Sequence, residues 1–271
     1  MQESYMQYSD FKKMLKKEVF GEDLNYQILK TVIDNPQRYI GIFRVTSTKT
    51  KLIQNITQSC EIKFGDFIEN ILTVYLSDMG YKNLNKNLGE DEEGNNLSAD
   101  QVFKNGNNIA IIEQKIRDDH DSTKKRGQYA NFVKKIKKLK ILYPSYKIHG
   151  IMWFSDDLLK KNKRYYQEQI ENNTDLKVEL NVFYGKELFS EYFKSLDCWN
   201  ELVRHLTQYK KEECKNILNV PDLDTSIEMR KALLRMKQEE PRLIRKLLSD
   251  KDEYKKLRAE FFPTKCNLKD L

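Results

Sequence analysis

The run Leu97–Ile116, LSADQVFKNGNNIAIIEQKI, constrains the fold more than any other stretch of the chain. It reads as two short strands joined by a polar turn. Asn105, Gly106, Asn107 and Asn108 tolerate positive φ, as a tight hairpin requires. After the turn, Ile109–Ile116 carries β-branched residues and then polar ones. Side chains alternate faces along a strand, so Glu113 and Lys115 share a face with Ile109 and Ile111. Centring the loop on Gly106-Asn107 puts Lys104 opposite Ile109 and Asp100 opposite Glu113. Directly opposed residues hold their Cβ atoms roughly 4.5–5.5 Å apart, and like charges there repel. Two carboxylates so close need a cation or a shared proton. A hard divalent ion with oxygen ligands meets that need, and Mg²⁺ typically takes one or two carboxylates plus substrate phosphate. Lys115 adds a positive group able to meet a phosphate or an attacking water.

Asp100, followed by Glu113-Gln114-Lys115 on the next strand, resembles the PD-(D/E)xK nuclease superfamily, with Ala99 at the proline of the motif's name. The resemblance covers residues 61–184. It implies an α/β (α+β) fold, a mixed central sheet flanked by helices, with the C-terminal region helical. It also implies Mg²⁺ as cofactor, one or two ions per active site, held by Asp100, Glu113 and the backbone carbonyl of Gln114. Asp100, Glu113 and Lys115 form the implied catalytic set. In some members the helix before the hairpin contributes an acid to the metal site, which here implies Glu69, with Asp66 one turn earlier as the alternative. A helix-borne Gln after the Glu-x-Lys strand occurs in some branches and implies Gln128 as a site-lining residue.

Taken in order, the rest of the chain predicts helices over 4–17 and 23–34, then a strand or extended arm over 39–45 and a polar surface loop over 46–51. Glu61–Met79 has the spacing of an amphipathic helix, with Ile62, Phe64, Phe67, Ile68, Ile71, Leu72, Tyr75 and Leu76 on its apolar stripe and Gly80 to end it. Residues 84–96 read as a loop, and the first core strand is placed in 81–89 or just before Asp100. Arg117–Lys125 reads as a mobile loop over the site. A helix follows over 126–140, with Ala130, Val133, Ile136 and Leu139 as its core stripe. Eight Lys or Arg and no acid lie between Lys124 and Lys140, which favours DNA phosphate contact through Lys124, Lys125, Arg126, Lys134 and Lys138. Strands are expected over 146–154 and 176–184. Helices are expected over 196–218, 225–239 and 241–260, with a break at Val220-Pro221-Asp222. The domain reading is a helical or arm region over 1–60, a catalytic core over 61–195 and a helical accessory region over 196–271 for DNA binding or dimerisation. Arg230, Arg235, Arg242 and Arg245 are available there for phosphate or base contacts.

Composition narrows the function classes. The net charge of +7 over 271 residues favours a polyanionic partner. No apolar run approaches the ~18 residues of a membrane span, and the N-terminus lacks the basic and apolar regions of a secretory signal. Cys60, Cys198, Cys214 and Cys266 are widely spread and read as free thiols, and His120, His149 and His205 are too scattered for a zinc site. These features predict a cytoplasmic protein. No glycine-rich phosphate loop or nucleophile elbow is present, nor any methyltransferase or helicase motif. The expectation is a Mg²⁺-dependent type II restriction endonuclease acting on double-stranded DNA. It would work as a homodimer on a palindromic site, with the cognate methyltransferase a separate protein. Two rivals remain: a repair or recombination nuclease of the same fold that recognises DNA structure, and a non-catalytic basic DNA-binding protein whose motif match is accidental.

Overall fold

The computed structural model describes residues 4–21, 23–173, 176–217, 222–269 and 271, with the side chains of 214–217 not among them. The expected break at Val220-Pro221 and the thiol of Cys214 therefore lie outside the described residues. The elements run α1 (Tyr8–Leu15, continued by a π-turn over Lys16–Phe20), α2 (Leu24–Asp34), α3 (Gln37–Ile40), α4 (Thr48–Asp78), β1 (Lys82–Asn83), β2 (Asn87–Glu90) and β3 (Asn96–Ser98). Then come β4 (Gln101–Asn105), β5 (Asn108–Lys115), α5 (Ser122–Leu142), β6 (Lys147–Phe154), α6 (Lys163–Glu171) and β7 (Glu179–Tyr184). The C-terminal helices are α7 (Leu196–Ile217), α8 (Ile227–Glu239), α9 (Pro241–Leu248) and α10 (Asp252–Phe261).

The chain divides into two compact units, with the division falling after the first residue of α1 and inside α4 and α7. One takes the stretch up to Tyr8 with Gly65–Thr207; the other takes Ser9–Phe64 with Gln208–Leu271.

The first unit is built on a five-stranded sheet of order β1-β4-β5-β6-β7. β4 runs antiparallel to β1 and β5, while β5, β6 and β7 are parallel, so the sheet is mixed. The β4–β5 turn is a two-residue loop, Gly106-Asn107, with Gly106 at φ +57°. Lys104 pairs with Ile109, the register that the turn chemistry predicts. Strand β5 lies between two neighbours and is buried on both faces, which accounts for its near-continuous apolar run. On one face Ile109 and Ile111 pack with Phe132, Ile136 and Leu139 of α5. β6 passes under that helix at Gly150, where a Cβ would stand 2.5 Å from Ile136 Cδ1 and 2.7 Å from Leu180 Cδ2, so only glycine permits this approach. On the other face Gln101 Nε2 donates to the Glu69 carbonyl at 2.5 Å, tying the second half of α4 to β4.

The second unit is helical. Ile28, Leu29, Val32 and Ile33 of α2 share a core with Leu233, Met236, Leu243, Leu247 and Leu257 from α8, α9 and α10.

Several local expectations are corrected. Residues 39–45 form neither strand nor extended arm: α3 ends at Ile40, and α4 begins at Thr48 inside the expected surface loop. Leu52 and Ile56, four residues apart, are buried in the helical unit's core and carry the helix back to that start. Ile62, expected on the buried stripe, is exposed. Part of the expected loop 84–96 forms β2, paired with β3 in a separate two-stranded sheet. The stripe on α5 is also rephased. Tyr129, Phe132, Ile136 and Leu139 are buried and Ala130 is exposed, because a strict three-residue step drifts off a 3.6-residue helix. The expected helix 241–260 is two helices, with Ser249 extended between them and its carbonyl accepting from Arg258 Nη1 at 2.9 Å.

Candidate active site

Strand alternation puts Glu113 and Lys115 on the α5 face of the sheet, and the β4–β5 register brings the residue just before β4, Asp100, alongside them. Lys115 Nζ lies 2.9 Å from Glu113 Oε1, 3.3 Å from Asp100 Oδ2 and 2.7 Å from the Gln114 carbonyl oxygen. Asp100 Oδ2 also accepts from the Gln114 backbone N–H at 2.7 Å. Three oxygens from three residues therefore converge on a single cationic point. The Gln114 side chain points to the opposite face, where its Nε2 donates to the Gly65 carbonyl at 3.3 Å.

The electrostatics follow from burial and crowding. Burial, and then the neighbouring Glu113 carboxylate, push the Asp100 carboxyl above its ordinary value, against the pull of Lys115 and the Gln114 N–H. Burial works against the charge of Lys115, yet Glu113 and Asp100 outweigh it and hold the ammonium above its usual value.

Sequence reasoning passed over Lys135. It is only 5% exposed, and its Nζ lies 2.5 Å from Glu113 Oε2. Glu113, also 5% exposed, is thus gripped by one ammonium on each oxygen. The available signal was position: 135 lies three residues after Phe132 and four before Leu139, on the helix's buried face.

Other implied residues lie elsewhere. Glu69 is turned to Lys86 at 2.6 Å. Burial raises its carboxyl, Lys86 partly offsets this, and the charges of Asp100 and Asp66 add to the rise. Asp66 is exposed. Gln128 Oε1 accepts from the Tyr166 hydroxyl at 2.9 Å, with Tyr166 fully buried against Phe154. Lys134 pairs with Asp91 and Glu93, Lys138 donates to the Glu90 carbonyl at 2.9 Å, and Lys125 lies over the Tyr165 ring. Lys124 and Arg126 are exposed at the start of α5. The segment after Lys115 is not the mobile cover expected. Asp118 is fully buried, accepts from the Tyr184 hydroxyl and from Asn162, and the helix begins at Ser122 behind an Asp121 cap.

Among the described residues no three His, Cys, Asp or Glu side chains form a metal-ligating cluster. Two carboxylates and a main-chain carbonyl remain as the oxygen set, which suits a hard ion that fills its coordination with water and phosphate.

No curated protein matches the chain. One family profile does, described as "Type II restriction endonuclease, HinfI", over residues 7–89 and 81–210. With a nuclease-like mixed sheet, a carboxylate–lysine cluster at its hairpin and a match across most of its length, the chain belongs to the HinfI family of type II restriction endonucleases, site-specific deoxyribonucleases that hydrolyse phosphodiester bonds.

Proposed function

We propose that cleavage requires Mg²⁺, that it occurs at a short specific sequence of double-stranded DNA, and that Asp100, Glu113 and Lys115 carry it out. The observation that carries this reading is the convergence of Asp100 Oδ2, Glu113 Oε1 and the Gln114 carbonyl on one point, each within 3.3 Å of the Lys115 ammonium. Those oxygens fit Mg²⁺ in kind and in number. When bound, the ion supplies Lewis-acid stabilisation of the scissile phosphate and lowers the pKa of water. The chain's own residues do the rest. Asp100 and Glu113 fix the ligand oxygens, and the N–H of Gln114 keeps Asp100 oriented. Lys115 balances negative charge as it builds on the phosphate and orients the attacking water. Hydrolysis forms a bond from water oxygen to phosphorus and breaks one phosphorus–ester oxygen bond, the leaving oxygen taking a proton. Lys124 and Arg126, exposed at the start of α5, are among the members of the basic run that meet the DNA backbone in this reading. A palindromic target calls for a two-fold dimer that presents one such centre to each strand, with the protecting methyltransferase as a separate cytoplasmic protein.

Digestion of phage DNA by the purified chain, with and without Mg²⁺, tests the reading. Discrete fragments are expected only with the metal. Lys115→Ala and Asp100→Ala should each lower the rate by at least about 10²–10³-fold, in line with losing a charge-stabilising group. Cleavage that ignores both substitutions would place the active site elsewhere.

A further inference from the structure

The helical unit carries a concentration of positive charge that the proposed cleavage chemistry leaves unused. A groove of about 400 Å³ opens between the end of α3 and the first turns of α4, with Arg38, Arg44, Lys51, Asn55, Gln58 and Ser59 along its wall. Every ionic side chain lining it is cationic. Lys51 Nζ donates to the Gln54 amide oxygen at 2.9 Å, a neutral partner. Elsewhere in this unit several cations are matched to acids: Lys12 to Glu212, Lys30 to Glu240, Arg235 to Asp23 and Lys246 to Asp34. The neutral polar lining groups are amides and a hydroxyl, which donate readily to phosphate oxygens, and Ile62 adds one apolar side chain.

Beside the groove, the loop that leads into α4 holds its apolar side chains out in water. Ile42 is 85% exposed, Phe43 98% and Val45 104%. Three bare hydrophobes interleaved with arginine mark a contact surface rather than a solvated one. The combination suits a nucleic-acid duplex, whose phosphates take the cations while its sugars and base faces take the apolar groups.

We propose that this groove and loop form a DNA-backbone site, with Arg38, Arg44 and Lys51 on phosphates and Ile42, Phe43 and Val45 against sugar and base faces. The proposal rests on the chain's DNA-cleaving activity for its ligand, and is independent of the roles given to Asp100, Glu113 and Lys115. The test is anisotropy of a labelled duplex carrying the cleaved sequence, bound by the full chain in EDTA across a KCl series, with sedimentation run in parallel. Each lost phosphate contact removes about 0.9 from the slope of log affinity against log salt. Arg38→Gln/Arg44→Gln/Lys51→Gln should therefore flatten that slope by about 2–3 and weaken binding more than about tenfold at low salt. Phe43→Ser should weaken binding with the slope unchanged. Should the triple variant fail to fold, Arg38→Gln and Arg44→Gln alone are each expected to flatten the slope by about 1. Wild-type affinity and slope in these variants would overturn the proposal. So would altered protomer association with DNA affinity intact, which would assign the groove to a second copy of the chain. Cleavage that survives Asp100→Ala would sink the catalytic assignment and leave this result standing.

Discussion

Glu113 is a buried carboxylate whose two oxygens face two different lysines, Lys115 at 2.9 Å and Lys135 at 2.5 Å. Desolvating three charged groups is costly, and the arrangement holds only because each charge has a close opposite. Lys135→Met leaves a buried carboxylate with one partner fewer and is expected to destabilise the fold by about 3 kcal/mol. Glu113→Gln should also destabilise, while the double variant should lose less than the two singles summed, with a coupling of about 1–3 kcal/mol. Urea denaturation of the four proteins measures this, and strict additivity would show that the pair does not couple. The carboxylates of the site were legible in the sequence because hairpin register follows from turn chemistry. Lys135 was not, because a lysine within a basic run reads as solvated until the helix phase is known, and that phase had been set by a three-residue step through Ala130.

Helix α5 owes its place on the sheet to a missing side chain. At Gly150 a Cβ would press on Ile136 Cδ1, Leu180 Cδ2 and, at 3.1 Å, Phe132. Ile136 and Lys135 are neighbours on that helix, so whatever lifts one draws the other away from Glu113. Gly150→Ala is expected to cost about 1–3 kcal/mol as overpacking and to lower cleavage more than a surface substitution of equal stability cost. Thermal melts alongside cleavage rates check both, and an unperturbed rate would mean that α5 accommodates the methyl without moving. The same scale shows where sequence patterning runs out. β5, β6 and β7 announce themselves as segments rich in β-branched and aromatic residues. The start of α4 does not, since Thr48–Lys51 is polar and only the burial of Leu52 and Ile56 by helices distant in sequence makes it helical.

At the scale of the molecule, the three histidines share one behaviour. Burial lowers each of His120, His149 and His205 from its ordinary value, at His149 against the opposing pull of Glu179. A histidine in the unfolded chain titrates near 6.5. As pH falls through that value the unfolded state takes up protons first, so stability present above about pH 7 is lost towards pH 5. Urea midpoints at pH 7.5 and 5.5 should show the drop, and His149→Phe should shrink it; an equal drop in the variant would clear His149 of any share. The division of the chain into units has a consequence for biosynthesis. Gly65–Thr207 sits in the middle of the sequence, while the helical unit is assembled from both flanks. A ribosome therefore delivers α2 before the sheet and its partners α8, α9 and α10 after it. Until those helices emerge, Leu29, Val32 and Ile33 have, beyond their own helix, only Tyr39, Leu52 and Ile56 of their buried native core beside them, although every strand of the sheet has already been made. The nascent chain thus passes through a stage with every strand of the sheet made and the core of its helical unit still open, when exposed apolar side chains of α2 invite chaperone binding.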